Sequence, residues 1–231
     1  MKIDYNSQFN SNLGVMSERD LIVLSNTKVI IVGLGGLGGN IANNLARLGV
    51  GSFLLVDFDK FQLTNLNRQL FSTHENIDSY KAKIVKNELL KINPQCKIDI
   101  SINKIEDISI DDLNGYDYII DAVDAPQTKI FLSVVSTLLN IPLLHGACAG
   151  WYGQVGWMLP GCKLIDELYG SKEYGLEKEL LNPSFTPSVI AGIMSSEFLK
   201  FIQKDNNTII NQLLLIDLLT NSIMKSGNDD G

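Results

Sequence analysis

Residues 28–38 read KVIIVGLGGLG, and this stretch restricts the fold more tightly than any other part of the 231-residue chain. A continuous β-branched run suits a strand buried on both faces of a parallel sheet. Glycines follow it at once. From Leu37 the apolar residues Ile41, Ala42, Leu45 and Leu48 then recur at helical spacing until Gly49 and Gly51 stop the helix. SFLLVD begins a second strand, which makes the segment a βαβ unit. Further along, a helix is expected from about Ser79 to Ile92, ending at NP. CKIDISI reads as a third strand and YDYIID as a fourth. IPLLHGA reads as a fifth, after a helix beginning near Pro126. The alternation predicts an α/β fold with a doubly wound, Rossmann-like, mostly parallel sheet.

After Gly150 the pattern changes. WYGQVGWML alternates like an antiparallel strand, and TPSVIAGIMSSEFLKFI reads as a helix, so an antiparallel C-terminal extension is expected. Residues 1–27 are polar except for a short amphipathic turn, where Ser17 can cap and Asp20 completes a capping box. The length suits one domain, 1–231. It is divided into an N-terminal arm (1–27), a nucleotide-binding core (28–150), a partner-facing part (151–225) with a flexible crossing segment around 161–183, and a disordered tail (226–231).

GLGGLG places Gly33, Gly35, Gly36 and Gly38 at the strand-to-helix turn. Asp57 follows at the end of strand two, at about the 20-residue spacing of the dinucleotide fingerprint. The glycines let backbone approach phosphates at a helix N-terminus, and the acid accepts from ribose hydroxyls. A ribose and a phosphate look the same in ATP and in NAD, so the next stretch, VDFDKFQLTNLNRQLF, decides between them. A dehydrogenase needs a cation here only to read a 2′-phosphate, and that cation normally replaces the acid. Arg68, one of three arginines, stands behind Asn65 and Asn67 and suits the oxygens of a triphosphate. Lys81 opens a helix, where the dipole disfavours a cation unless an anion lies nearby.

IIDAVDA ends strand four with Asp121 and Asp124, at the edge where open α/β sheets hold ligands. One of the two can bind Mg²⁺, which takes one or two carboxylates plus phosphate. Asp124 also suits a helix cap before Pro126. Together these residues suggest attack on the α-phosphorus of ATP, where catalysis is positioning plus cations and no general base is required if the nucleophile is already a carboxylate.

GLGGLG, VDFDKFQLTNLNRQLF, Lys81 and IDAVDA together resemble the ThiF/MoeB/HesA family, bacterial relatives of the ubiquitin-activating enzymes. The resemblance implies ATP-dependent adenylation of the C-terminal Gly-Gly carboxylate of a small ubiquitin-like sulfur-carrier protein, in thiamine, molybdopterin or related sulfur transfer. It implies that Arg68, Lys81 and Asp124 are catalytic, and that Asp57 binds ribose. Asn65, Arg68 and Lys81 would handle phosphates, with Asp59 and Gln69 beside the nucleotide, while Asp124 holds Mg²⁺. A homodimer is also implied. Three departures stand out. Ala125 replaces the asparagine usual after the magnesium aspartate. The absence of C-x-x-C pairs implies a zinc-free subgroup. The N-terminal arm offers only Arg19 where a partner-reaching arginine is expected.

Two related readings remain open. One is an enzyme like tRNA threonylcarbamoyladenosine dehydratase; the other is a non-catalytic relative that binds ATP and carrier. A nicotinamide oxidoreductase comes last. The net charge of −7 and pI near 4.8 argue against nucleic acid and anionic membrane as main partners. An odd number of cysteines without C-x-x-C spacing points to the reducing cytoplasm. Cys148 and Cys162 are the candidate sulfur-relay thiols, Cys162 ahead of Cys148. His74 and His145 lack metal-ligand spacing and read as structural.

Overall fold

A computed structural model describes residues 5–172, 175 and 177–226. Two short helices, α1 (Tyr5–Phe9) and α2 (Glu18–Asn26), lead into β1 (Lys28–Val32), α3 (Gly36–Leu48) and β2 (Ser52–Val56). After a long loop come α4 (Lys81–Ile92), β3 (Lys97–Ser101), β4 (Tyr118–Asp121), α5 (Pro126–Leu139) and β5 (Leu143–Ala149). The chain then turns back through β6 (Tyr152–Met158), α6 (Leu164–Tyr169), α7 (Glu177–Leu180), α8 (Phe185–Gln203), β7 (Leu214–Asp217) and β8 (Ser222–Lys225).

The eight strands form one sheet in the order β3-β2-β1-β4-β5-β6-β7-β8. Pairing is parallel from β3 to β5 and antiparallel from β5 to β8. The expected fold class is therefore what the chain adopts. The unbroken apolar runs follow from burial on both faces: Val29 and Ile31 enter one core with α3 and α8, while Ile30 and Val32 enter a second with α5 and α6. Strand order reverses between β1 and β4, which opens a crevice at their carboxyl ends.

From Phe9 onward the N-terminal arm is docked on the body of the fold, and residues 1–4 of it lie outside the described residues. The capping box of Ser17 and Asp20 starts α2 as expected, and Phe9, Met16, Leu21 and Leu24 bury in the main core. The crossing segment is not flexible throughout: α6 packs Ile165 and Tyr169 into the second core. The tail expected to be disordered begins with an anchored residue, since Ser226 N–H donates to the Leu213 carbonyl and its hydroxyl accepts the Leu213 N–H. Residues 227–231 lie outside the described residues. No helix among the described residues is long and apolar enough to cross a membrane.

Candidate active site

The crevice is a cleft of about 1790 Å³, larger than the roughly 300–1,000 Å³ of a single small-molecule pocket. It has room for a nucleotide and part of a second substrate. Its first half is built from the turns that leave β1, β2 and β4.

At the β1–α3 turn, Gly33 has φ +85°, and a Cβ on Gly38 would sit 1.8 Å from the Gly33 carbonyl oxygen. These two glycines are demanded by the turn itself. Gly35 is not: the nearest atom to a Cβ there would be Gln69 Nε2 at 3.5 Å, ordinary contact distance. Its bare backbone instead leaves open space on the cleft side. α3 starts at Gly36 with no side-chain cap, so its first N–H groups and its dipole face the cleft as an anion site.

Asp57 leaves β2 buried, and its two oxygens accept from Leu34 N–H (2.7 Å) and Asp59 N–H (2.8 Å). The carboxylate thus clamps the glycine turn to the β2 loop, and each oxygen keeps a lone pair for another donor. Burial pushes its carboxyl above the usual value, with Lys81 opposing. Phe58 follows, half exposed, with the Lys104 ammonium 5.7 Å from its ring centre.

The cations expected from the sequence lie in this half of the cleft. Arg68 Nη1 donates to Thr64 O (3.1 Å) and Asn67 Oδ1 (2.9 Å), both uncharged, and no carboxylate among the described residues pairs with it. Lys81 is buried and does have an anion already: Asp59 Oδ2 stands 2.9 Å from Nζ, which offsets the unfavourable position at the start of α4. Asn65 turns away from the cleft. Its Oδ1 accepts Gln62 N–H and closes the one-turn helix before Arg68. Gln69 is buried in the cleft wall, and its Oε1 has no hydrogen-bond partner among the described residues.

Asp121 and Asp124 part company. Asp124 is exposed on the cleft wall, with no hydrogen bond or ion pair among the described residues. The expected helix cap fails, because the cap position of α5 is Ala125 and has no side-chain bond. Asp121 is fully buried and cannot serve as a free metal ligand. Its carboxylate accepts from Lys129 Nζ on both oxygens (3.1 Å each) and from His145 Nδ1 (2.7 Å). Burial pushes its carboxyl up, but Lys129 and His145 outweigh that and hold it below the usual range. Sequence reading missed Lys129. The available signal was its place on the buried stripe of α5 with Pro126, Leu132 and Ser136, where a lysine must find an acid.

Burial, then the charge of Lys129, depress His145 below its ordinary pKa of 6.5, against the pull of Asp121. Gln154 and Tyr169 also face the ring. The unfolded chain therefore binds a proton that the folded protein excludes. Stability is complete above about pH 6.5 and falls as pH drops below it. Thermal melts from pH 8 to 5 should show this decline, and a flat profile would contradict it.

The second half of the cleft is apolar. Trp151, Tyr152, Leu180, Leu181, Phe185 and Leu215 line it, all exposed. The far end of the crossing segment is pinned there. Gly150 N–H donates to Leu181 O (2.7 Å), Thr186 Oγ1 to Gly150 O (2.6 Å), and Asn67 Nδ2 to Asn182 O (3.1 Å). The two candidate thiols lie in different surroundings. Cys148 lines the cleft, while Cys162 contacts Met158 Sδ (3.7 Å) in the second core and does not. Burial pushes the third thiol, Cys96, up to about 12.

The sequence model of the ThiF family matches residues 5–229. The chain is 29% identical over 153 residues to tRNA threonylcarbamoyladenosine dehydratase of Escherichia coli, covering 65% of this chain and 56% of that one. It is 32% identical over 138 residues to sulfur carrier protein ThiS adenylyltransferase of Escherichia coli, covering 59% and 55%. To sulfur carrier protein adenylyltransferase of Thermus thermophilus it is 27% identical over 219 residues, covering 87% and 79%. The chain thus spans about half the length of the two Escherichia coli relatives. Among solved structures, Escherichia coli MccB with ATP superposes with a TM-score of 0.79 at 23% identity, covering 97% of this chain and 73% of that one. Escherichia coli tRNA N6-threonylcarbamoyladenosine dehydratase gives 0.72 at 22%, covering 86% and 95%. These structural likenesses speak to the fold.

Proposed function

From the premise that the chain belongs to the ThiF family, we propose that it adenylates a carboxylate with ATP: the C-terminal Gly-Gly carboxylate of a small ubiquitin-like sulfur-carrier protein. A carboxylate oxygen attacks the α-phosphorus, the bond to the bridging oxygen breaks, and pyrophosphate leaves with the electron pair, giving an acyl-adenylate. The observation that carries this reading is the cleft whose lining brings together an uncapped helix start, Asp57, Arg68, Lys81 and Asp124 with an apolar groove.

The residues present fit the nucleotide. Gly35 leaves a cradle that a Cβ would fill, and the unpartnered Gln69 oxygen is an acceptor in its wall. In this reading the α3 N–H groups and Arg68 bind phosphates, Asp57 accepts from ribose, and Lys81 with Asp59 sets the charge at the β2 loop. Asn65 acts through the turn it closes. Asp124 has a free carboxylate suited to Mg²⁺. No cluster of three or more acidic, histidine or cysteine side chains accompanies it among the described residues, so phosphate and water would complete the shell. The ion would neutralise charge developing on the phosphates. Residues 28–150 serve as the nucleotide half and 151–225 as the carrier half. The reading includes a homodimer, to which Arg19, exposed on α2, can contribute. In this reading Cys148, which lines the cleft, is the thiol that would meet an acyl-adenylate.

ATP–pyrophosphate exchange with purified Gly-Gly carrier proteins tests the proposal. Carrier-dependent exchange is expected, and tight ATP binding without exchange would make the chain a non-catalytic relative. The similarity to the tRNA dehydratase supports a second reading, in which tRNA rather than a carrier stimulates ATP turnover. The net charge of −7 weighs against it.

A further inference from the structure

In and behind the wall of the cleft lies a charged cluster that the proposed reaction does not use. Asp121 closes β4, Lys129 sits in the first turn of α5, and His145 lies on β5; none is more than 2% exposed. An ion pair this deep is a poor source of stability, because desolvating both charges costs about as much as their attraction returns. Apolar side chains of similar volume would hold β4, α5 and β5 together as well. What they cannot supply is direction.

The bonds of this cluster are directional, and they lead somewhere. Asp121 Oδ1 also accepts the Val123 N–H at 3.2 Å, inside the turn that carries Asp124. Lys129 Nζ reaches the Gly146 carbonyl at 3.2 Å. With Nδ1 donating to Asp121, His145 Nε2 accepts from Gln154 Nε2 on β6 at 3.1 Å, and Gln154 also donates to the Tyr169 hydroxyl on α6. The Lys129 ammonium lies 5.6 Å from the Tyr169 ring centre. One continuous chain of contacts thus runs from the Asp124 turn to α6, and Lys129, Gln154 and Tyr169 form cleft wall along the way.

We propose that Lys129, Asp121 and His145 are positioning residues which, through Gln154 and Tyr169, hold the Asp124 turn and α6 in one fixed relation, so that a carboxylate entering the apolar half meets the nucleotide in line. This rests on the adenylation reading above. A role in packing alone makes a different prediction, and a pair of variants separates the two.

Lys129→Met leaves Asp121 charged and buried without its ammonium partner, held only by the hydrogen bonds from His145 Nδ1 and Val123 N–H, so it lowers the melting temperature. The double variant Asp121→Asn/Lys129→Met removes both charges and recovers most of that loss. If the cluster only packs, exchange activity returns with the melting temperature, and that result would overturn the proposal. If it positions, kcat for carrier-dependent exchange stays down by about 100-fold, the cost of roughly 1 Å of misplacement, with KM for ATP within threefold of wild type. Tyr169→Phe removes one hydroxyl and preserves packing. It is expected to lower kcat about fivefold with KM for ATP unchanged, and wild-type kcat would remove α6 from the scheme. Hydrogen exchange decides the matter independently of activity. In the double variant the Val123 amide and residues 164–169 are expected to lose protection together, and unchanged protection in either overturns the proposal. Should the wild-type protein catalyse no exchange with any carrier, the adenylation reading fails and the hydrogen-exchange result still judges the cluster.

Discussion

Arg68→Ala is expected to lower carrier-dependent ATP–pyrophosphate exchange by about 10³-fold, the scale of losing a preorganised charge from a phosphoryl-transfer site, while the fold stays intact. The reason lies in what the guanidinium touches. Its partners are a backbone carbonyl and an asparagine oxygen, and no acid among the described residues depends on it. Removing it strands no buried charge, so the melting temperature should stay within about 2 °C of wild type, as for a surface change costing under 0.5 kcal/mol. Asp124→Ala should behave in the same way, because that carboxylate has no partner to orphan among the described residues. Exchange kinetics with melting curves on both variants check this. Near-wild-type turnover in either would sink the assignment of these residues to the phosphates and the metal.

A second large effect separates two glycines of one motif. A Cβ on Gly38 would sit 1.8 Å from the Gly33 carbonyl oxygen, backbone that cannot rotate out of the way. Gly38→Ala must therefore push α3 off β1. We expect a loss above about 3 kcal/mol, at the upper end for overpacking, and a melting temperature lower by roughly 10 °C for a chain of this size. Gly35→Ala should leave the melting temperature of the free protein unchanged, since the nearest atom to its Cβ is a side-chain nitrogen at 3.5 Å. It should instead weaken ATP binding at least tenfold by filling the cradle at the helix start, a loss of about 1.4 kcal/mol. Thermal melts with and without ATP measure both quantities. A Gly35→Ala protein that binds ATP normally would show that the phosphates do not approach this turn.

Much of the fold was legible because its signals are local and periodic. KVIIV and SFLLV could be read as strands because burial on both faces needs every residue apolar, and the α3 helix because its apolar residues recur every three or four positions. The antiparallel half was less legible. β7 and β8 are four residues each and half exposed, so neither carries a strong pattern, and only pairing, of β7 with β6 and of β8 with β7, makes them strands. The N-terminal residues looked polar as a set, yet four apolar side chains among them dock into the main core. Docking depends on where that stretch returns to the body, which no local period records.

The site divides in the same way. Sequence alone determined which chemistry the chain carries to the carboxyl edge of its sheet: the glycine turn, Asp57, Arg68, Lys81 and the two aspartates at and just past the end of β4. Those follow from residue type and from distance along the chain to a strand end. Only the tertiary structure decided which of them are free. It paired Lys81 with Asp59, turned Asn65 into its own loop, buried Asp121 against Lys129 and His145, left Asp124 open, and set Cys148 rather than Cys162 in the cleft. The ion pairs among these join residues well apart in the chain: 22 positions for Lys81 and Asp59, 8 for Asp121 and Lys129, and 24 for Asp121 and His145. The free or paired state of a charge is a property of packing, and a sequence states its charges without stating what will face them.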